Sequence, residues 1–143
     1  VKDLDLAIEQ MIYIATSDEL DYIRNAPSQA EKEKRFWKFW KDKDPTPSKK
    51  GNQTMMEYYR RVKVATDRFT TYNRTGWKSD MGMVYIIEGE PSEIERHPFE
   101  ADSRPYEIWM YYNLNQYFTF VDYVGFGEYT LITPIYDKRF RLH

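Results

Sequence analysis

Cysteine is absent from the 143 residues, so no disulfide framework, thiolate metal site or cysteine nucleophile is available. Histidine is nearly absent: only His97 and the terminal His143 could supply imidazole, and His97 lacks a second histidine at helical spacing with which to hold a metal. No metal and no cofactor is therefore expected. The six glycines form neither a GxGxxG nor a GxxxxGK[ST] phosphate loop, and no GxSxG nucleophile motif occurs. No run of about eighteen uncharged apolar residues exists to cross a bilayer. Neither charge sign dominates, the net charge being only −2. The chain does have aromatic (17%), apolar (41%) and charged (31%) side chains in the proportions of a folded protein, at a length suited to one domain. It opens on Val1 and runs at once into an amphipathic segment, which reads as a fragment of a longer precursor.

Charge is unevenly placed. Residues 31–63 hold eleven Lys or Arg against five acids, whereas residues 80–130 hold ten acids against Arg96 and Arg104 alone. Within one small fold the acidic half neutralises the basic half or repels phosphate, so no nucleic-acid partner is expected.

The first third reads as helices. Leu4, Ile8, Met11, Ile12 and Ala15 recur at three- and four-residue steps, the spacing of one apolar stripe. Thr16 with Glu19, Ser28 with Glu31 and Thr54 with Glu57 match the capping box, in which hydroxyl and carboxylate each satisfy an orphan amide. The helix from Gln29 to about Asp42 carries Phe36, Trp37, Phe39 and Trp40 among lysines, which favours packing over a membrane-surface anchor. Asp44-Pro45-Thr46-Pro47-Ser48 ends it. Met55, Tyr58, Tyr59, Val62, Ala65 and Phe69 mark the next helix, ending near Thr71.

After Gly76 the pattern changes. Met83–Ile87, bounded by Gly82 and Gly89, reads as a buried strand, and Pro91-Ser92 as a turn into a brief helix over Glu93–Arg96. Tyr106–Tyr112, Tyr117–Tyr123 and Glu128–Thr133 read as strands joined by Asn113–Gln116 and Val124–Gly127, connectors short enough to force an antiparallel meander. The fold class is α+β: a helical N-terminal layer (1–75) packed on a four-stranded, mainly antiparallel sheet (76–133), with a tail (134–143), as a single domain.

Loop length sets register. A four-residue loop over Asn113–Gln116 pairs Tyr111 with Phe118, Trp109 with Phe120 and Glu107 with Asp122, while the next turn places Tyr129 beside Asp122 and Leu131 beside Phe120. One face is then aromatic and ends in two acids about 5 Å apart at Cβ, which need compensation. On the preferred, structural reading Arg104 or an arginine of the Arg60–Lys63 segment lies over the pair. On a binding reading the pair takes a cation, a basic group or a hydroxylated group, with Trp109 and Tyr111 as the stacking surface. On a catalytic reading Glu107 and Asp122 are an acid and nucleophile at glycosidase spacing.

The run Gly76-Trp77-Lys78-Ser79-Asp80, then Gly82, Val84 and Tyr85, Gly89 to Pro91 with Ile94, and Arg104-Pro105-Tyr106-Glu107-Ile108-Trp109, resembles the GWxTD domain family of bacterial proteins. Phe120-Val121-Asp122 and Gly127-Glu128-Tyr129 with Leu131 look like its closing strands. Phe36, Trp40 and Asp44-Pro45-Thr46-Pro47 look like its preceding helical segment, and the likeness covers roughly residues 16–133. Ser79 stands where the name motif has threonine, keeping the hydroxyl. The family has no assigned activity, and its members resemble exported or envelope-associated proteins. The resemblance implies a place in the cell envelope, periplasmic or secreted. Physical roles can be offered for three motif residues: Gly76 allows a turn that a side chain would obstruct, Trp77 plugs the seam between helices and sheet, and Asp80 accepts amide hydrogens where the first strand begins.

The function expected is a noncatalytic interaction module holding another protein, or another domain of the same precursor, on an aromatic surface of Trp109, Tyr111, Phe120 and Tyr129 with Arg104. The alternative is a carbohydrate-binding or carbohydrate-active protein working at Glu107 and Asp122. A sealed acid pair under arginine favours the module, and an open cleft holding both acids favours the alternative.

Overall fold

Short polar side chains set the helix starts. In the computed structural model, which describes residues 3–46, 51–98 and 103–142, Asp3 accepts the Leu6 amide at 3.0 Å and opens α1 (Leu4–Glu9). A 3-10 turn over Gln10–Tyr13 follows. Thr16 and Glu19 form the expected reciprocal box at 3.1 and 2.8 Å, starting α2 (Ser17–Arg24). Ser28 accepts the Glu31 amide at the head of α3 (Gln29–Lys43), which ends as Asp44 turns extended. Pro47 and Ser48, expected to help stop that helix, lie outside the described residues, as does His143. The next start departs from expectation. Asn52, not Thr54, accepts the Met55 amide at 3.0 Å, so α4 spans Gln53–Phe69. An asparagine carbonyl satisfies the orphan amide as well as a hydroxyl does.

The chain divides into two compact units, Val1–Arg60 with Leu142, and Arg61–Arg141, the division falling inside α4. The first unit is centred on rings. Phe36, Phe39 and Trp40 of α3 are buried while Trp37 is exposed, so packing claims three of the four aromatics. Trp40 lies 5.6 Å from Tyr58 and 5.4 Å from Tyr59, and the Tyr59 hydroxyl donates to the Ala7 carbonyl at 2.7 Å. Burial pushes both tyrosine phenols well above their ordinary pKa, so they stay protonated donors.

The second unit carries two exchanges of element type. Met83–Ile87, expected as a strand, lies within α5 (Asp80–Glu88), and Glu93–His97, expected to begin as a helix, is strand β1. Val84, Tyr85, Ile86 and Ile87 are all buried, and a helix apolar on every side has no 3.6-residue signature to separate it from a buried strand. β1 is mostly solvated, so its only sign is the pairing with a distant segment. The remaining strands are β2 (Tyr106–Tyr111), β3 (Gln116–Val121) and β4 (Thr130–Leu131), and the four form an antiparallel sheet in the order β1-β2-β3-β4. Helices first and strands last give the expected α+β class. Met81, Val84 and Tyr85 of α5 share a core with Trp109, Tyr111, Phe118 and Phe120 of the sheet, and Phe69 of α4 packs against it. No helix among the described residues is long and apolar enough to cross a membrane.

An arginine closes this unit. The buried Arg61 donates to the Ile86 and Ile87 carbonyls at 3.0 and 3.2 Å, supplying donors that the last turn of α5 lacks, and to the Arg141 carbonyl at 3.0 Å. Arg141 in turn bonds the buried Glu88 at 2.6 Å, tying the C-terminal segment down. Replacing Arg61 by methionine keeps the apolar bulk and removes these donors. Urea unfolding of Arg61→Met is expected to show a loss of about 3 kcal/mol; an unchanged midpoint would contradict the role.

Candidate functional site

The β2–β3 connection determines which side chains meet. It runs over Tyr112–Asn115, one residue earlier than expected, as a 3-10 turn closed by Asn115 in the left-handed region (φ 51°). Pairing is thereby slipped by two residues: Glu107 opposes Phe120, Trp109 opposes Phe118 and Tyr111 opposes Gln116. A two-residue slip leaves every side chain on its expected face but changes its opposite number. Glu107 and Asp122 therefore share a face without facing each other. On the other side the expected register holds, with Leu131 opposite Phe120.

Trp109, Tyr111 and Phe120, expected to form a binding surface, are 1%, 1% and 0% exposed and make up the interior of the unit. The face is aromatic because α5 and Phe69 cover it. The Tyr111 hydroxyl donates to the Gly89 carbonyl at 2.8 Å, and burial raises its pKa far above the usual phenol value.

The two carboxylates have separate employments. Asp122 is 3% exposed and accepts the Gly125 amide at 2.9 Å and the Gly127 amide at 2.8 Å, one on each oxygen. Its compensation comes from backbone dipoles, not from the arginine that was expected. Gly125 and Gly127 sit at φ 81° and 84°, where a side chain would strain the backbone. The loop so bracketed exposes Val124 (66%) and Phe126 (80%). Arg104 serves the same loop: its Nε donates to the Tyr123 carbonyl at 3.2 Å and its guanidinium lies 5.4 Å from the Tyr123 ring centre.

Glu107 is held differently. Its Oε1 accepts the Trp109 indole N–H at 3.1 Å, and its Oε2 lies 3.8 Å from Nε of Arg96, the residue directly opposite on β1. Neither Arg104 nor the Arg60–Lys63 segment is its partner. Glu107 lines a cleft of about 410 Å³ whose apolar floor includes Phe69, Met81, Ile94 and Trp109 and whose rim includes Arg68, Glu90, Arg96, Glu128 and Tyr129. Arg68 bonds both oxygens of Glu90 at 3.1 and 3.0 Å, and Arg74 approaches Glu128 at 2.9 Å. Burial, then the Glu107 and Asp122 charges, raise the Tyr129 pKa, so its phenol stays protonated. Asp122 does not line the cleft, so acid and nucleophile are not assembled across one bond. Among the described residues no group of three or more His, Asp or Glu could hold a metal.

The motif residues make close contacts within the fold. A Cβ on Gly76 would collide with the Ala65 carbonyl, and one on Gly82 with the Gly76 carbonyl, so both glycines serve close backbone approach. Trp77 is buried, with the Lys78 ammonium 5.3 Å from its ring centre. Ser79 caps α5 by accepting the Gly82 amide at 2.9 Å while donating to the Gly76 carbonyl at 2.6 Å. Asp80 does accept an amide hydrogen, but at a helix start: its Oδ2 takes the Leu131 N–H of β4 at 2.8 Å. Because the neighbouring Ile132 amide bonds Thr119 of β3, the Leu131 N–H points away from the sheet, and Asp80 closes that edge.

Sequence reasoning missed Val124, Phe126, Arg68 and Arg96. The signal for the first two was present, since an aspartate followed by Gly125 and Gly127 reads as a carboxylate bracketing left-handed turns.

Fold and site together define an α+β domain whose acids and aromatics hold a sheet, an exposed loop and a mixed cleft. The family model of the GWxTD domain matches residues 1–132, and the chain belongs to that family. No curated protein and no solved structure matches it.

Asp122→Asn keeps one acceptor and presents a donor to the second glycine amide. Denaturant unfolding is expected to show a loss of about 1–3 kcal/mol, and full retention of stability would contradict the bracketing role.

Proposed function

We propose that this chain is a noncatalytic protein-interaction module of the bacterial cell envelope, periplasmic or secreted, which holds another protein or another domain of its own precursor through the Tyr123–Gly127 loop. The observation that carries this is the exposure of Val124 and Phe126 on a loop fixed at its base by Asp122 and Arg104. Apolar side chains held ready in water cost stability nothing to expose again, and a pre-ordered loop forfeits little entropy when it docks. The envelope assignment rests on the family resemblance. Nucleic acid is not the partner read here, because residues 80–130, which carry the loop, hold ten acids against two arginines. The carbohydrate alternative required both acids in one open cleft, an arrangement that the sealed Asp122 does not provide.

A photo-crosslinking residue placed at Phe126 in the producing bacterium is expected to yield a discrete protein adduct. The same residue at Tyr112, exposed in the β2–β3 turn at the opposite end of β3, should not. Phe126→Ser should remove the partner while shifting stability by no more than about 0.5 kcal/mol. Absence of any adduct at 126, or identical adducts at both positions, would overturn the reading.

A further inference from the structure

The cleft next to the loop has its own chemistry. Gly127, Glu128 and Tyr129 belong to its lining, so the cleft adjoins the end of the loop that carries Val124 and Phe126. Three carboxylates, Glu90, Glu107 and Glu128, stand around an apolar floor. Two have close arginine partners, Arg68 at 3.0 Å and Arg74 at 2.9 Å. Glu107 does not. Its Oε1 is fixed by the Trp109 indole, while Oε2 makes no hydrogen bond to a described residue and has only Arg96 at 3.8 Å, beyond bonding reach. The Arg96 side chain is 65% exposed, whereas that of Glu107 is 17% exposed, so the cation is free to swing into water and the carboxylate is not.

We propose that this cleft receives one basic side chain, arginine or lysine, of the partner polypeptide, with Glu107 as its acceptor; this rests on the interaction-module reading and adds the chemistry of what is held. A guanidinium or ammonium entering here forms the charge-assisted bond to Glu107 that Arg96 leaves unmade, and its methylene stem lies on Phe69, Met81 and Ile94. The volume of about 410 Å³ falls in the range of sites that enclose small ligand groups. An anionic group would meet the Glu107 carboxylate, which no described cation bonds. A neutral polyol would gain only hydrogen bonds and would leave the Glu107 charge as weakly compensated as before. Arg96, at the rim, thus competes with the incoming group for Glu107.

That competition makes the sign of one mutation diagnostic. With N-acetyl-arginine amide as the probe and the full chain isotopically labelled, the Trp109 indole N–H resonance reports on Glu107 directly, because the two are bonded. The resonance is expected to shift saturably with the arginine probe and not with N-acetyl-glutamate amide or glucose. Glu107→Gln, which keeps an acceptor for the indole, should weaken binding about tenfold or more. Arg96→Ala should strengthen it several-fold. Weaker binding in Arg96→Ala, saturation by glutamate amide or glucose, or an unmoved Trp109 resonance would each overturn the assignment. If the probe fails while the adduct at position 126 forms, the pocket falls and the module stands. If the probe binds and no adduct forms, the basic-group pocket stands and the polypeptide partner falls.

Discussion

The carboxylate of Asp122, buried and bonded to the amides of Gly125 and Gly127, is the interaction on which the functional part of the molecule depends. A buried charge is tolerable only when its lone pairs are occupied, and here a single side chain turns that requirement into geometry: both oxygens are filled only if the loop takes one course. That course requires left-handed backbone at both glycines, leaves Val124 and Phe126 in water, and delivers Gly127, Glu128 and Tyr129 to the cleft. Loop posture and cleft rim follow from the same two hydrogen bonds.

The residues that give the family its name act around this arrangement and not within it. Gly76 and Gly82 admit close backbone approach, Ser79 caps α5, and Asp80 reaches from the head of that helix to the outward amide of β4. The helix is stopped at its other end by Arg61 and tied to the tail through Glu88 and Arg141. A motif distinctive enough to define a family is here a set of joints that fix a buried helix against the sheet. The reactive-looking acids have equally constructive duties, Asp122 on the loop and Glu107 on the Trp109 indole.

Much of the fold was legible. Composition places strands over Tyr106–Tyr112 and Tyr117–Tyr123, close to the observed Tyr106–Tyr111 and Gln116–Val121, capping chemistry places the starts of α2 and α3, and register gives the aromatic face its correct members. What failed has physical causes. α5 is buried on all sides and so has no amphipathic period, while β1 is mostly solvated and declares itself only through distant partners. The two-residue slip arose because Tyr112, strand-like in composition, belongs to a turn that closes on a left-handed Asn115. From sequence the aromatic face reads as a surface, because sequence gives the orientation of side chains relative to their strand and not what covers them. The covering helix was the very segment misread as a strand.

The most direct test of the account is the exchange of the Gly125 and Gly127 amides with solvent deuterium in the unmodified chain. Both lie on an exposed loop, where unbonded amides exchange at nearly the free-peptide rate. If Asp122 fixes the loop, these two amides exchange much more slowly than those of Val124 before them and Phe126 between them. Uniform rapid exchange from Tyr123 to Gly127 would contradict the account, because a loop that moves freely is not held ready for a partner.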